Sequence, residues 1–244
     1  MRQFKYVEEA TMLKWLVPGI AVLFASTAAH ADGGMPGGDS PQTCAIPAAT
    51  VNAVQSTLAQ VVQLGNGGLF SPNLMWSAVV DRTGRLCSVI KTGDAWPGSR
   101  AIAIAKASTA NDFSNDQLAL STVNLYAPTQ PGGSLYGLNN SNPFNPFFLP
   151  QNLGVGFVPG GIITFGGGVA LYSGGQVIGG LGVSGDTSCA DHAIAYRMRK
   201  LAGLDGIPAG AGLNGTDNIV YLSPGEPPNT GFKHPHCGAS DITP

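Results

Sequence analysis

Charge is what this chain has least of. Asp, Glu, Lys and Arg make up 11% of its residues, balance to a formal net charge of -2 and nowhere gather into a basic patch. A surface without clustered cations cannot neutralise a row of phosphates, which excludes nucleic acid as a partner. Long apolar runs are missing as well: after residues 15–24 no stretch approaches the roughly 20 apolar residues of a membrane-spanning helix. The four cysteines show no Cys-x-x-Cys spacing, so no thiolate metal motif is written into the chain. Gly182-Val183-Ser184-Gly185-Asp186 fails as a nucleophile elbow because Asp186 stands where the last glycine belongs. It fails as a phosphate loop because the Walker lysine is absent. Paired carboxylates and a triad are lacking too, and no enzymatic constellation emerges.

What is present begins with an export signal. Residues 15–24 are apolar over the length of a signal h-region, and Ala29-His30-Ala31 supplies small residues at the two positions a signal peptidase reads. The reading is a signal peptide over 1–31, a mature start at Asp32, and a periplasmic or secreted product. Glu8 and Glu9 suit a basic n-region poorly, so the initiator is either Met1 or Met12. Cleavage shifts the formal charge from -2 to about -3 and removes His30, leaving His192, His234 and His236. All four cysteines survive it, in a compartment where disulfides persist. Of three pairings, the chain order favours Cys44 with Cys87 and Cys189 with Cys237, stapling each end to the core.

With 43% hydrophobic residues the mature chain can bury one ordinary core. Residues 32–43 are Gly, Pro and Ser rich and read as a flexible lead-in to a single domain over 44–244. Val51, Val54, Leu58, Val61 and Val62 recur at helical spacing over 48–64. Residues 74–80 and 86–90 form a hairpin around Asp81-Arg82-Thr83-Gly84. Ser99 is placed to cap a helix over 100–110, and a second helical segment spans 115–126. From 128 to 159 the periodicity vanishes into Gly, Asn, Pro and aromatic residues. Phe144, Phe147, Phe148 and Phe157 mark that stretch as an ordered arm over its own domain or a neighbour's. Residues 160–199 then read strand, strand, strand, helix. Apolar runs at 162–165, 169–172 and 176–183 are separated by Gly166-Gly167-Gly168 and Ser173-Gly174-Gly175, and Thr187 or Ser188 caps a helix with Asp191 in its first turn. Residues 205–244 form a Gly/Pro-rich tail with one strand at 218–222.

These segments resemble the GlcG/HbpS-like family, the haem-binding or haem-degrading domain also fused to some corrinoid adenosyltransferases. The likeness is carried by the glycine-rich hairpin, by Val177-Ile178-Gly179-Gly180-Leu181-Gly182-Val183-Ser184-Gly185, by Trp76 to Leu86, and by Pro97-Gly98-Ser99-Arg100 followed by Lys106-Ala107-Ser108-Thr109-Ala110. It covers roughly residues 46–204. The resemblance implies an α/β (α+β) fold of profilin-like type, one antiparallel sheet flanked by helices, with 128–159 as an insertion and the tail as an addition. It also implies homo-oligomers and haem or a related tetrapyrrole as ligand.

On that reading His192 is the candidate axial ligand. Arg100 and Lys106, beside a helix start, make a candidate anion site for propionates. Gly182 to Asp186 is a second possible anion nest. His234-Pro235-His236-Cys237 looks like a metal clasp, which a disulfide at Cys237 would reduce to two imidazoles. Three readings of function follow: an exported haem-binding protein, a cofactor-free assembly module built on the aromatic arm, and an enzyme acting on haem or a small metabolite.

Overall fold

A computed structural model describes residues 42–145, 148 and 153–244. The expected signal segment 1–31, nearly all of the lead-in, and Phe147 lie outside the described residues. The elements run α1 (Ala48–Ser56), α2 (Leu58–Val61), β1 (Trp76–Asp81), β2 (Leu86–Lys91), α3 (Ser99–Asp112), α4 (Tyr126–Thr129), β3 (Gly168–Ser173), β4 (Gln176–Ser184) and α5 (Ser188–Leu201). The four strands make one sheet in the order β2-β1-β4-β3, every pair antiparallel.

Helices cover both faces. Val51, Val54, Leu58 and Val61 of α1 and α2 pack with Ile194 and Met198 of α5 against Val79, Val169, Leu181 and Val183. On the other face Ala103, Ile104 and Ala107 of α3 meet Trp76, Ala78 and Val80. β4 lies between two strands and two helix layers, which is why it reads as a nearly continuous apolar run. Its glycines do more than turn the chain: a Cβ on Gly182 would overlap the Ala103 carbonyl, and one on Gly180 the Ala107 carbonyl. Small residues on both sides let α3 sit directly on the sheet.

Both expected disulfides are present, Cys44–Cys87 and Cys189–Cys237, closing sequence separations of 43 and 48 residues. Loops of that size stabilise by about 4 kcal/mol each in the chain-entropy account. The arm folds over its own domain. Gly156 and Phe157 exchange backbone hydrogen bonds with Leu86 at the sheet edge, and Phe157 stacks on Phe148 at 5.6 Å.

Several expected elements differ. Residues 162–165 do not form a strand: Ile163 donates its amide to Thr109 Oγ1, and the outer edge of β3 is already taken at Tyr172 by Leu204 and Asp205. The helix expected over 115–126 is absent, because Asn115 Oδ1 accepts from the amides of Gln117 and Leu118, and Asn124 Oδ1 accepts from the Ser121 amide. Such side chains compete with the helical ladder. The helix over 48–64 ends at Val61 and is interrupted at Thr57. Gly98, not Ser99, is the N-cap of α3. The tail strand at 218–222 reduces to one bridge between Tyr221 and His234.

Candidate functional site

The start of α5 is where the chain's scarce ionisable groups collect. Thr187 caps the helix, its Oγ1 accepting from the Ala190 amide at 3.3 Å. Asp191 Oδ1 then accepts from the amides of Gly185 and Asp186, at 3.1 and 3.0 Å, so the nest expected at Gly182 to Asp186 is filled by the protein's own carboxylate. Asp191 Oδ2 pairs with Lys106 Nζ at 2.6 Å, and Lys106 also donates to the Val183 carbonyl. Burial pushes Asp191 up to about 6, with Lys106 pulling the other way. Burial likewise lowers Lys106 against the pull of Asp191. Asp186 gathers the incoming loop through the amides of Leu69 and Phe70 and the Asn73 side chain.

The residues singled out for propionates have internal uses. Lys106 is wholly buried in the pair just described, and Arg100, 2% exposed, donates to the carbonyls of Phe148 and Leu153. Arg100 therefore ties the arm to α3 instead of facing solvent.

Each of the three histidines among the described residues has a different setting. His192 has no exposed surface; its Nε2 bonds Asn218 Oδ1 at 3.1 Å and its Nδ1 has no hydrogen-bond partner among the described residues. Burial pushes it down to about 4. His234, also buried, donates from Nδ1 to the Pro235 carbonyl at 2.7 Å and lies 4.9 Å from the Tyr126 ring. His236 points outward, its side chain 57% exposed; it stacks on Tyr221 at 4.2 Å and holds Nδ1 3.2 Å from Asp241 Oδ2. The expected clasp of both tail histidines is not assembled: His234 stands with Cys189 and Cys237, while His236 joins no cluster of three ligand-type groups among the described residues.

Sequence reasoning missed the second buried pair. Arg199 meets Asp217 in a two-pronged contact, 2.7 and 2.6 Å, and also donates to the Ala170 carbonyl, fastening the tail to α5 and β3. The only signal was an arginine among the inward positions of α5. Elsewhere, a cleft of about 380 Å³ opens beside Cys44–Cys87, walled by Ile46, Val51, Leu86 and Val155 with Asn52 and Ser88 at its polar side. Among the described residues that line it, none carries an ionisable side chain.

A family model described as "Haem degrading protein HbpS-like" matches residues 73–199. That span holds the whole sheet, α3 and nearly all of α5. The chain is similar to the crystal structure of the Klebsiella pneumoniae protein ORFY of the DUF336 family model, at 25% identity and TM-score 0.50, covering 68% of this chain and 95% of that one. It is also similar to a PduOC–haem complex, at 26% identity and TM-score 0.49 over 64% and 94% of the two chains. A double mutant of Streptomyces reticuli HbpS matches at 20% identity and TM-score 0.46, over 68% and 91%. No curated protein matches.

Proposed function

The chain belongs to the HbpS-like haem-degrading family, and from that membership we propose that it is an exported protein that binds haem or a related tetrapyrrole. The family match is the observation that carries the reading. Export is supported by the pairing of all four cysteines in disulfides, which an oxidising compartment preserves. N-terminal sequencing of protein recovered outside the cytoplasm should begin at Asp32.

An axial imidazole must expose a nitrogen lone pair to a wide, flat ring, and His192 and His234 are sealed from solvent. His236 fits. Its Nδ1–H is directed at the Asp241 carboxylate, which leaves the Nε2 lone pair free, the carboxylate–histidine arrangement that orients metal-bound imidazoles. Asp241 is itself fixed by the amides of Cys237 and Gly238. Bound haem would supply an iron centre able to exchange ligands or electrons. His236 would be the residue to hold that iron, with its imidazole stacked on Tyr221. Haemin titration tests the reading: a saturable Soret band is expected, and a weak, unsaturable spectrum would end the haem assignment.

A second reading, assembly into homo-oligomers, is favoured by Leu153, Val155 and Val158, which expose 47%, 54% and 51% of their surface on one short stretch of the arm. The partner is a second copy of this chain. A Val155→Lys, Val158→Glu variant should then fall to monomer mass in light scattering; an unchanged mass would move the interface elsewhere.

A further inference from the structure

Independently of haem, we propose that Cys189, Cys237 and His234 form a redox-gated site for a borderline divalent cation of the zinc class. In the oxidised protein the two sulfurs are bonded to each other, and the site is closed. Both sulfurs and one nitrogen of the His234 ring nevertheless lie within 4.8 Å of one another. A tetrahedral zinc ion with sulfur and nitrogen ligands holds its donor atoms about 3.5–3.8 Å apart. Once the bond opens, the sulfurs must separate to that distance and the His234 ring must close to it.

The three positions do not depend on the disulfide alone. Cys189 is in the first turn of α5. The backbone of His234 is fixed by its amide bond to the Val220 carbonyl and its carbonyl bond to the Leu222 amide, each 2.9 Å. The Cys237 amide donates to Asp241 Oδ2 at 2.6 Å. Each donor is also prepared for a metal. The Pro235 carbonyl takes the Nδ1 proton of His234, so the Nε2 lone pair faces the Ser188 side. Ser188 Oγ lies 3.2 Å from Cys237 Sγ and 3.5 Å from that Nε2, close to where a fourth ligand belongs. The Cys189 amide donates to Cys237 Sγ at 3.2 Å, and a helix N-terminus favours thiolate over thiol.

The other disulfide is a poorer candidate. Cys44 and Cys87 cluster with Asp81, whose carboxylate already accepts from the amides of Ala45, Thr83 and Arg85 and from the Thr83 hydroxyl. A carboxylate oxygen is also a harder donor than an imidazole.

The gating step balances. A dithiol reductant exchanges with the Cys189–Cys237 bond through a mixed disulfide, delivering two electrons and two protons, and leaves as its own disulfide. The cation then displaces the two thiol protons to buffer as two metal–sulfur bonds form. The tail thus trades a covalent staple for a metal clasp.

The test uses the full mature chain, reduced with a dithiol that is then removed without air, and titrated with Co²⁺. Expected are one bound equivalent, thiolate-to-cobalt charge transfer and the intense visible bands of a tetrahedral ion, with none of these before reduction. His234→Ala should weaken binding by about 10-fold or more, since even outer-shell partners of a metal ligand are worth that much. Thiol alkylation mapped by mass should find Cys189 and Cys237 protected by cobalt, and Cys44 and Cys87 unprotected. The proposal is overturned if reduced protein gives no thiolate–cobalt signal, if His234→Ala binds unchanged, or if Cys44 and Cys87 are the protected pair. Near-UV circular dichroism must also keep the native signal with metal bound; its loss likewise overturns the site.

Discussion

Lys106 Nζ lies 2.6 Å from Asp191 Oδ2, and both side chains are sealed from solvent. The pair joins α3 to α5, and through Asp191 it also satisfies the turn that ends β4. Removing one member of a buried pair strands the other charge, at a cost of about 3–5 kcal/mol. Lys106→Met should therefore lower stability by that order in urea unfolding. Adding Asp191→Asn, which keeps an acceptor for the turn amides, should recover part of the loss. A single-variant cost below about 1 kcal/mol would mean that the pair is not sealed.

Gly182 offers a test of the helix–sheet contact. Alanine there must push against the Ala103 carbonyl and the Ala107 amide, both backbone, so the helix itself has to move. Overpacking of this kind costs about 1–3 kcal/mol. Gly206→Ala is the control, because none of the described residues comes within 4 Å of its Cβ position. That change should stay within about 0.5 kcal/mol. Equal effects at the two positions would refute the close-approach account of the β4 glycines.

That contrast also explains what the sequence could reveal. The hairpins and a helix cap at Thr187 or Ser188 are legible because each depends on neighbours in the chain: short β-branched or aromatic runs around turn glycines, and a hydroxyl three residues before an amide; the disulfides, 43 and 48 residues apart, follow instead from the order of four cysteines in an exported chain. Glycines at positions 180 and 182 look like turn residues when read locally. Their reason lies across space, in the carbonyls of α3. The same holds for Arg199 and Asp217, 18 residues apart and meaningless until the tail folds back. Residues 162–165 carry strand composition but find no free edge, since Leu204 already bonds Tyr172. His192 reads in the sequence as a candidate ligand at a helix start, and only the folded tail shows its Nε2 bonded to Asn218 with no surface exposed.

The histidines separate the haem hypotheses. His236→Ala should diminish the Soret band and weaken haemin binding, whereas His192→Ala, at a site with no exposed surface, should leave the spectrum intact at temperatures where the variant is folded. Asp241→Asn should fall between, since it weakens the carboxylate's hold on Nδ1 without removing the ligand. The reverse order, with His192→Ala abolishing the band, would mean that the tail opens to admit haem.

Acid should weaken this fold at mildly acidic pH, before its surface carboxylates are protonated. Burial holds His192 and His234 neutral, each pushed from the usual 6.5 down to about 4. Asp217 and the Asn218 side chain favour the charged form of His192 while Arg199 and His234 oppose it; at His234 the Pro235 carbonyl and Asp241 favour it while Lys106 and His236 oppose it. With folded values below unfolded ones, the unfolded chain binds more protons between about pH 6.5 and 4, so stability falls as pH falls through that window. Each histidine accounts for at most about 3 kcal/mol. Asp191 works in the opposite sense, because burial lifts it from 3.8 to about 6 and the folded state keeps a proton that the unfolded chain releases. Two imidazoles against one carboxyl leave a net loss of about 3–4 kcal/mol. Urea midpoints measured between about pH 7 and 4.5 should drop accordingly, and His192→Gln should flatten the slope. Stability that holds constant or rises over that range would show that these imidazoles are not buried neutral.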